Sequence, residues 1–500
     1  MLRFACLLLA LSAQGQPVRA PETVKNPNQA IPLSTKSVDA GKALEDGVLK
    51  WENHRMAEAV EDFRRAAQAD PDFAAAHLFL STLTPNPEEQ SSELKKALAL
   101  RDSKGQDERL LIDWLANTSQ NQILPAITSM NELLDRYPRD KHLLYRAAIW
   151  FRNQRQLDRA VPLYERLLQL DSQFADALNQ LAYIYAFQAE FDKAIADIKR
   201  YVAVLPNEPN PEDSYAEILR MAGRYDEAIT HYRRALQIEP TFWSSQEGIA
   251  GTYSLMGDQA RARAEYAAAI FHAPSQATAL FWTMNSAVSW VREKKYAEAT
   301  AVLQSVARRA HENDLAEPES TAYRMMALYE NDLTARQKLL DQAEAALHHN
   351  HPLSRLASEQ QTALILRTRI YANLDSGNVD AAGSILEQLR SASEKSHNGF
   401  TQVVHHGAAG AVLFAQGKYE DAISELLEDD RNAYSLKFLV QAYQKNGSAG
   451  EANHWAARLN AVKNPTLELV LVTMPSASSP AAGSVRDETS REIANWRTDW

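Results

Sequence analysis

The sequence predicts an all-α chain built as a solenoid of tandem helix–turn–helix units. Residues that favour helices are abundant, and only 17 of the 500 residues are glycine. A phrase of similar pattern also returns along the chain. It reads GRYDEAITHYRRALQIEP at 223–240, and related phrases begin at 189, 294 and 417. A pattern that recurs at a fixed period is typical of an architectural unit, so a stack of similar helix pairs is expected.

The first residues, MLRFACLLLALSAQGQ, have the pattern of a cleaved secretion signal. One positive charge precedes an apolar run at 4–11, and the small residues Ala13 and Gly15 follow it. The run is too short to span a bilayer. We therefore expect a signal peptide at 1–15 and a mature chain that is periplasmic or secreted, without membrane insertion after cleavage. The alternative is that these residues form a buried N-terminal helix and are not cleaved. The protein would then be a cytoplasmic adaptor.

Cys6 is the only cysteine and lies within the apolar run, so the mature chain is expected to form no disulfide.

The two ends of the mature chain lack the repeated pattern. Prolines between polar residues predict a linker at 16–38. Beyond 462 the helical pattern fades, and a flexible C-terminal tail is predicted at 463–500. This tail ends in WRTDW, and the two tryptophans suggest the hypothesis that it docks on the helical array.

The repeated units follow a spacing of 34 residues, with starts at 107, 141, 175, 209 and 243. All five units have alanine at position 20: Ala126, Ala160, Ala194, Ala228 and Ala262. Four have proline at position 32: Pro138, Pro206, Pro240 and Pro274. Beyond 274 the spacing slips, and 310–400 matches the pattern least well. Further turns are predicted at Gly377, Gly417 and Gly447.

The residue types at these positions have a physical explanation. Positions 4, 7, 8 and 11 form one apolar stripe on the first helix, and positions 20, 24 and 27 form another on the second. Alanine allows the two helices to approach closely, and a larger residue would overpack the contact. Glycine permits the left-handed turn that ends the first helix, and proline stops the second.

This pattern resembles the tetratricopeptide repeat, a helix–turn–helix unit of 34 residues. The unit that begins at 175 carries the family's preferred residues: Leu178, Leu181, Ala182, Tyr185, Ala194 and Pro206. The resemblance covers about 40 to 460. It implies an N-terminal array at 39–309 and a less regular C-terminal array at 310–462. It also implies a superhelix whose concave groove holds peptides or partner helices.

In this family, positions 2, 5, 9 and 12 of the first helix face the groove. The resemblance therefore implies a partner-binding groove that includes His142, Tyr145, Arg152, Asp176, Asn179, Tyr183, Phe187, Asn210, Asp213, Glu217 and Arg220. The alternative is that these are ordinary exposed helix residues. Some family members clamp a C-terminal carboxylate with basic and amide side chains. That activity is not carried over, because Asp176, Asp213 and Glu217 would repel a carboxylate.

Several classes of function lack support in the sequence. The formal net charge is −11 and no long basic run occurs, which argues against a nucleic-acid partner. The histidines at 348, 349, 351, 405 and 406 lack the spacing of a metal site, and no nucleotide-binding or hydrolase motif occurs. No cofactor, metal or catalytic residue is therefore predicted.

The function predicted from these observations is a non-catalytic scaffold that binds a protein or an extended peptide. A narrower hypothesis places it in envelope assembly or export. The alternative is an enzyme, or a regulatory subunit of one, with its site in the irregular region 310–400.

Overall fold

The computed structural model describes residues 30–473, apart from 54, 121, 155, 349–352, 397 and 462. Over these residues the regular structure consists of 25 α-helices and two short 3₁₀ turns, with no strand. The predicted all-α solenoid of helix pairs is confirmed. The predicted signal peptide at 1–15, most of the predicted linker, His349 and His351, and the terminal WRTDW lie outside the described residues.

Contacts divide the chain into two compact units. The first runs to Ala147 and includes Gln169–Asp171, and the second comprises Ala148–Leu168 and the chain from Ser172 onward. This division differs from the predicted change of array at 309/310. One hydrophobic cluster joins both sides of that position, since Leu303 and Ala307 pack with Met326. The change in repeat spacing is therefore not a break in the core.

The first unit is built from short helices and the beginning of α7. Their bounds are α1 Val38–Glu52, α2 Met56–Ala69, α3 Ala74–Leu83, α4 Pro87–Leu100, a 3₁₀ turn Arg101–Ser103, α5 Gln106–Ser119, α6 Ile123–Arg136 and α7 Lys141–Asn153.

The second unit continues the alternation from α8 onward. Its helices are α8 Leu157–Leu170, α9 Ala175–Phe187, α10 Phe191–Val204, α11 Pro209–Met221, α12 Tyr225–Ile238, α13 Trp243–Met256, α14 Gln259–Phe271, α15 Gln276–Arg292 and α16 Tyr296–Glu312. They continue with α17 Ala316–Tyr329, α18 Leu333–Ala345, a 3₁₀ turn Ala346–His348, α19 Arg355–Asp375, α20 Val379–Ser396, α21 Gly399–Ala415, α22 Tyr419–Leu427, α23 Ala433–Lys445, α24 Ala449–Ala461 and α25 Leu467–Thr473.

The turns within helix pairs lie where the glycine pattern predicts them. Gly223 has φ 78° and separates α11 from α12, and Gly417 has φ 77° between α21 and α22. This left-handed conformation costs glycine little because it has no Cβ. The N–H of Gly223 donates to the Arg220 carbonyl at 3.0 Å, which ends α11 with a satisfied turn.

The alanine pattern marks the points where helices approach most closely. Ala194, Ala228 and Ala262 are each 0% exposed, as predicted. The aromatic residue at position 24 packs on the next unit. A Cβ placed on Gly248 would collide with the ring of Tyr232, so the glycine makes room for the tyrosine. Each unit therefore buries its apolar face against its neighbour.

Residues 30–36, which belong to the predicted linker 16–38, are held on the first unit by hydrogen bonds. The N–H of Ile31 donates to Asp140 Oδ2 at 3.1 Å, and the N–H of Ser34 donates to Glu108 Oε2 at 3.1 Å. Thr35 Oγ1 donates to Asp70 Oδ2 at 2.6 Å. The composition predicted a linker, but these carboxylates give an extended segment the partners that hold it on the first unit.

The second unit curls back on itself. A Cβ on Gly399, at the start of α21, would lie 2.9 Å from the carbonyl oxygen of Gln154, although 245 residues separate the two. Two stretches of the second unit that are far apart in sequence therefore lie in contact. No helix in the described residues combines the length and apolar character needed to cross a membrane.

Candidate partner-binding surface

The first helices α9, α11, α13, α15 and α17 of the second unit each contact the next one in the series, and together they form a continuous face. We call it the inner surface. Seven of the predicted groove residues lie on its α9 and α11 portions: Asp176, Asn179, Tyr183, Asn210, Asp213, Glu217 and Arg220. Phe187 ends α9, and Arg152 lies on α7 within the same unit. His142 and Tyr145 belong to the first unit.

A hydrogen bond joins α9 to α11 across this face, and a second one within α11 shares its acceptor. Tyr183 Oη donates to Glu217 Oε2 at 2.7 Å, and Arg220 Nη2 donates to Glu217 Oε1 at 3.0 Å. Burial, and then the nearby Glu217 carboxylate, hold the pKa of Tyr183 well above its usual value. The phenol is therefore a donor, and Glu217 is the shared acceptor between two helices.

The same face continues from α11 to α13 and α15. Ser245 Oγ donates to Asp213 Oδ1 at 2.5 Å, and Asn285 Nδ2 donates to Glu247 Oε1 at 3.0 Å. Burial raises the pKa of the Glu247 carboxyl, and the Arg220 guanidinium opposes that rise. Arg220 is 6% exposed and is thus the central positive charge among several acids.

The Asp213 carboxyl predicts a pH dependence of stability. Burial raises its pKa to about 7, although the Ser245 hydrogen bond opposes the rise. An unfolded aspartate titrates near about 3.9, so the folded state holds a proton that the unfolded state releases between about pH 4 and 7. Asp213 therefore stabilises the fold most at low pH, and this stabilisation is lost as the pH rises toward 7.

Replacing Asp213→Asn should remove this loss while keeping an oxygen that accepts from Ser245. The quantity compared is the melting temperature of the variant minus that of wild type. We expect this difference to be larger at pH 8 than at pH 5 by about 2 °C or more. Thermal melts at both pH values measure it, with Asp226→Asn on the exposed face of α12 as the matched control. An equal difference at the two pH values would contradict the assignment.

Other predicted groove residues are engaged within the array. Asp176 is 3% exposed and accepts from Gln180 Nε2 at 3.1 Å, and Gln180 in turn accepts from Arg152. Asn210 Nδ2 donates to Tyr201 Oη at 2.9 Å. These contacts give the side chains a structural role between repeats. Their role in binding a partner stays a prediction.

The two predicted residues of the first unit are also packed. His142 Nδ1 pairs with Glu52 Oε1 at 2.7 Å, and Tyr145 is 4% exposed. The repeat spacing places His142 and Tyr145 on the first helix of a pair, where the structure also has them. The spacing did not predict that Tyr145 is buried. Among the predicted groove residues, Phe187 is the most open apolar side chain, at 38% exposure.

The inner surface carries a segment of the chain itself, residues 463–473. The N–H of Lys463 donates to the Met221 carbonyl at 3.1 Å, at the end of α11. Pro465 Cγ lies 3.3 Å from the position that a Cβ on Gly251 would take. The missing side chain at Gly251 therefore lets the segment approach α13. We call residues 463–473 the docked segment.

The helical part of the docked segment, α25, inserts two side chains between α15, α16 and α17. Leu467 and Val470 are 3% and 1% exposed and pack with Val288, Val291 and Leu328. The residues up to 473 thus differ from the flexible tail that the sequence predicts. A seven-residue helix has little stability alone, and it is ordered here by the surface it covers.

An ion pair accompanies these apolar contacts. Glu468 Oε1 accepts from Arg324 Nη1 at 3.4 Å. Arg324 is 9% exposed, and burial lowers the pKa of its guanidinium, an effect that Glu468 opposes. Glu468 therefore supplies a negative charge to a buried arginine on α17. No pattern in the sequence predicts this pair, although Glu468 stands within a short, mainly apolar run at 467–472.

A cavity of about 470 Å³ borders the docked segment. Its lining includes Phe187, Arg431 and Leu436 together with Thr466 and Leu469 of the segment. The Arg431 guanidinium carbon lies 5.5 Å from the centre of the Phe187 ring. The segment thus leaves room beside it, next to the most exposed aromatic residue of the predicted groove.

Two of the histidines considered in the sequence lie near a carboxylate. His405, His406 and Glu425 place potential ligand atoms within 4.8 Å of one another. His406 Nδ1 pairs with Glu425 Oε2 at 2.7 Å. Burial lowers the pKa of His405, and the neighbouring His406 adds to that effect. The His406–Glu425 hydrogen bond accounts for the position of Glu425. The spacing of the histidines in the sequence did not predict that Glu425 lies beside them.

Comparisons with known proteins agree on the repeat type. Family models described as tetratricopeptide repeat match residues 143–178, 175–207 and 214–242. Curated proteins give no match to the sequence.

Several solved structures are similar to this chain. A tetratricopeptide repeat protein from Parabacteroides merdae is 16% identical and covers 61% of this chain and 98% of its own, with a TM-score of 0.35. Yeast Tom70 is 14% identical and covers 84% and 96%, with a TM-score of 0.42. The Cut9–Hcn1 hetero-tetramer of the APC/C is 14% identical and covers 86% and 78%, with a TM-score of 0.38.

Proposed function

This chain is a tetratricopeptide repeat protein, and we propose that it is a non-catalytic scaffold that binds a segment of a partner protein on the inner surface. The observation that carries the proposal is the docked segment. It contacts α11 through a backbone hydrogen bond and α13 through Pro465. It contacts α15 and α17 through two buried aliphatic side chains and one ion pair. A surface that accepts this stretch of chain has the features needed to accept a similar one from a partner.

The docked segment indicates what such a partner segment would contain. Leu467 and Val470 are three residues apart and point to one side of a helical turn. Glu468 meets the buried Arg324 at 3.4 Å. We therefore propose a partner segment with aliphatic residues at i and i+3 and an acidic residue at i+1. The docked segment would occupy the surface until such a partner replaces it.

We also propose that the protein acts in the periplasm or outside the cell, in the assembly or export of envelope components. The charged and apolar pattern of residues 1–15 supports the compartment. The net charge of −11 is consistent with a protein or peptide partner in preference to a nucleic acid. An enzymatic site in 310–400 stays an alternative hypothesis.

A peptide with the sequence of the docked segment, KNPTLELVLVT, tests the proposed binding. Full-length chain carrying Leu467→Asp and Val470→Asp should leave the surface open, while the wild-type chain should keep it occupied. Occupation reduces apparent affinity in proportion to the closed fraction. We expect fluorescence anisotropy of the labelled peptide to show a roughly tenfold or greater gain in affinity for the variant.

The matched control is the same peptide with aspartate in place of both Leu467 and Val470. It should bind neither chain. Equal binding of the two peptides would show that the aliphatic positions do not specify the interaction. A lack of binding by the native peptide to the open variant would contradict the proposed function.

A further inference from the structure

The first unit contains a cavity of about 510 Å³ that is lined by residues of this unit. Its walls come from α1, α3, α5 and the start of α7. Most of the lining is apolar and includes Leu44, Val48, Phe79, Leu111 and Trp114. A cavity of this size with apolar walls can enclose a small organic molecule.

Residues 30–36 form one side of this cavity. Ile31, Leu33 and Thr35 line it, while Pro32 and Ser34 are exposed. This alternation is that of an extended chain, whose successive side chains point in opposite directions. The hydrogen bonds to Asp140, Glu108 and Asp70 fix the segment in place, so the cavity is bounded on this side by an anchored wall.

Three charged side chains line the cavity: the exposed Glu45, Asp140 and the positively charged Arg146. The Arg146 guanidinium carbon lies 5.0 Å from the centre of the Trp51 ring and 4.3 Å from that of Phe79. Nε and Nη2 are buried and have no hydrogen-bond acceptor among the described residues. The indole N–H of Trp114 is likewise buried without an acceptor in the described part of the chain. Buried donors without acceptors are rare because each loses its hydration without compensation.

The nearby carboxylates are directed elsewhere. Glu52 pairs with His142 at 2.7 Å. Asp140 accepts from the N–H of Ile31 through Oδ2, and from the N–H groups of His142 and Leu143 through Oδ1. Burial lowers the pKa of Arg146, although Glu52 and Asp140 oppose that shift. The Arg146 guanidinium thus faces the cavity, and none of the described carboxylates accepts a hydrogen bond from its buried Nε and Nη2.

We propose that this cavity binds a small organic acid whose carboxylate pairs with Arg146 and whose apolar body lies against Leu44, Phe79 and Leu111. A carboxylate matches the paired donors of a guanidinium, and an aliphatic or aromatic body matches the walls. The aromatic rings on Arg146 hold the guanidinium in position before the ligand arrives, which lowers the cost of ordering it.

Decanoate and decan-1-ol test the proposal on the full-length wild-type chain. The two have the same carbon chain and differ in the charge of the head group. Isothermal titration, with both below the concentration of micelle formation, should give decanoate a roughly tenfold to hundredfold higher affinity. If decanoate does not bind, or if the two ligands bind with equal affinity, the wild-type measurement alone would overturn the proposal.

Arg146→Gln then tests the assigned residue. It should bring the affinity of decanoate down to that of decan-1-ol and leave the binding of decan-1-ol within about threefold of wild type. A thermal melt establishes that the variant is folded. Arg109→Gln, in the same unit, is the matched control because it also removes one positive charge. Retained preference for decanoate in folded Arg146→Gln would overturn the assignment.

A peptide arm separates a free acid from the end of a partner chain. Acetylated tetrapeptides ending in Leu-Leu, with a free or amidated C-terminus, should bind more weakly than decanoate. Tighter binding of the free-acid peptide than of decanoate would overturn the proposal of a small organic acid and identify the site as a receptor for chain ends.

Discussion

The variant Leu467→Asp/Val470→Asp should release the docked segment while the helical array stays folded. The two side chains are 3% and 1% exposed, and carboxylates in their place would be buried without partners. Burying an unpaired charge is so costly that the segment should detach. The contacts that remain, among them the Lys463 hydrogen bond, Pro465 on Gly251 and the Glu468 pair, bury little apolar surface and should not hold a short helix.

Hydrogen exchange measured by mass spectrometry should detect this release. We expect amides 467–473 to exchange at least about tenfold faster in the variant, and trypsin to cleave after Lys463 sooner. Thr473→Asp, at an exposed position of the same helix, is the matched control and should leave both rates unchanged. Unchanged protection in the double variant, or loss of helical signal over the whole chain, would contradict independent release.

The variant Ala228→Leu should destabilise the array by roughly 1–3 kcal/mol through overpacking. Ala228 is 0% exposed on α12, so there is no free space for the additional carbons. In a repeat array the strain is also transmitted to the neighbouring interfaces. The denaturation midpoint in urea measures the loss.

Ala268→Leu provides the control for this substitution. It lies on the exposed face of α14 and should change stability by no more than about 0.5 kcal/mol. An unchanged midpoint for Ala228→Leu would mean that alanine at position 20 is not a packing requirement. A loss of equal size in both variants would mean that leucine acts through something other than burial.

The repeat period allowed the inner surface to be predicted to a useful degree. Tyr183 and Glu217 are 34 residues apart, and the alignment gives them the same position in successive units. Equal positions in stacked helices lie side by side, so their hydrogen bond follows from the period. Ala194 and Ala262 were placed in the core by the same reasoning.

The docked segment could not be predicted in this way because it belongs to no repeat. Lys463 and Met221 meet across 242 residues, and no periodic signal links them. A run as short as LELVLV is also ambiguous as a helix on its own. Gly251 was the available signal, since its position in the repeat faces the inner surface and it has no side chain.

Arg146 was missed for a related reason. The family pattern directs attention to positions 2, 5, 9 and 12 of the first helix, and Arg146 stands at position 6 of the unit that begins at 141. Its environment depends on Trp51 and Phe79, which lie 95 and 67 residues earlier in the chain. A charge that becomes buried through such distant partners is visible only once the helices are packed.

We propose that the partner segment binds on the inner surface of the second unit. Hydrogen exchange of the full-length Leu467→Asp/Val470→Asp chain, with and without the KNPTLELVLVT peptide, tests it most directly. We expect new protection in α13, α15 and α17, and none in the outer helices α12 and α14. Protection confined to the outer helices, or none at a peptide concentration that saturates binding, would contradict the claim.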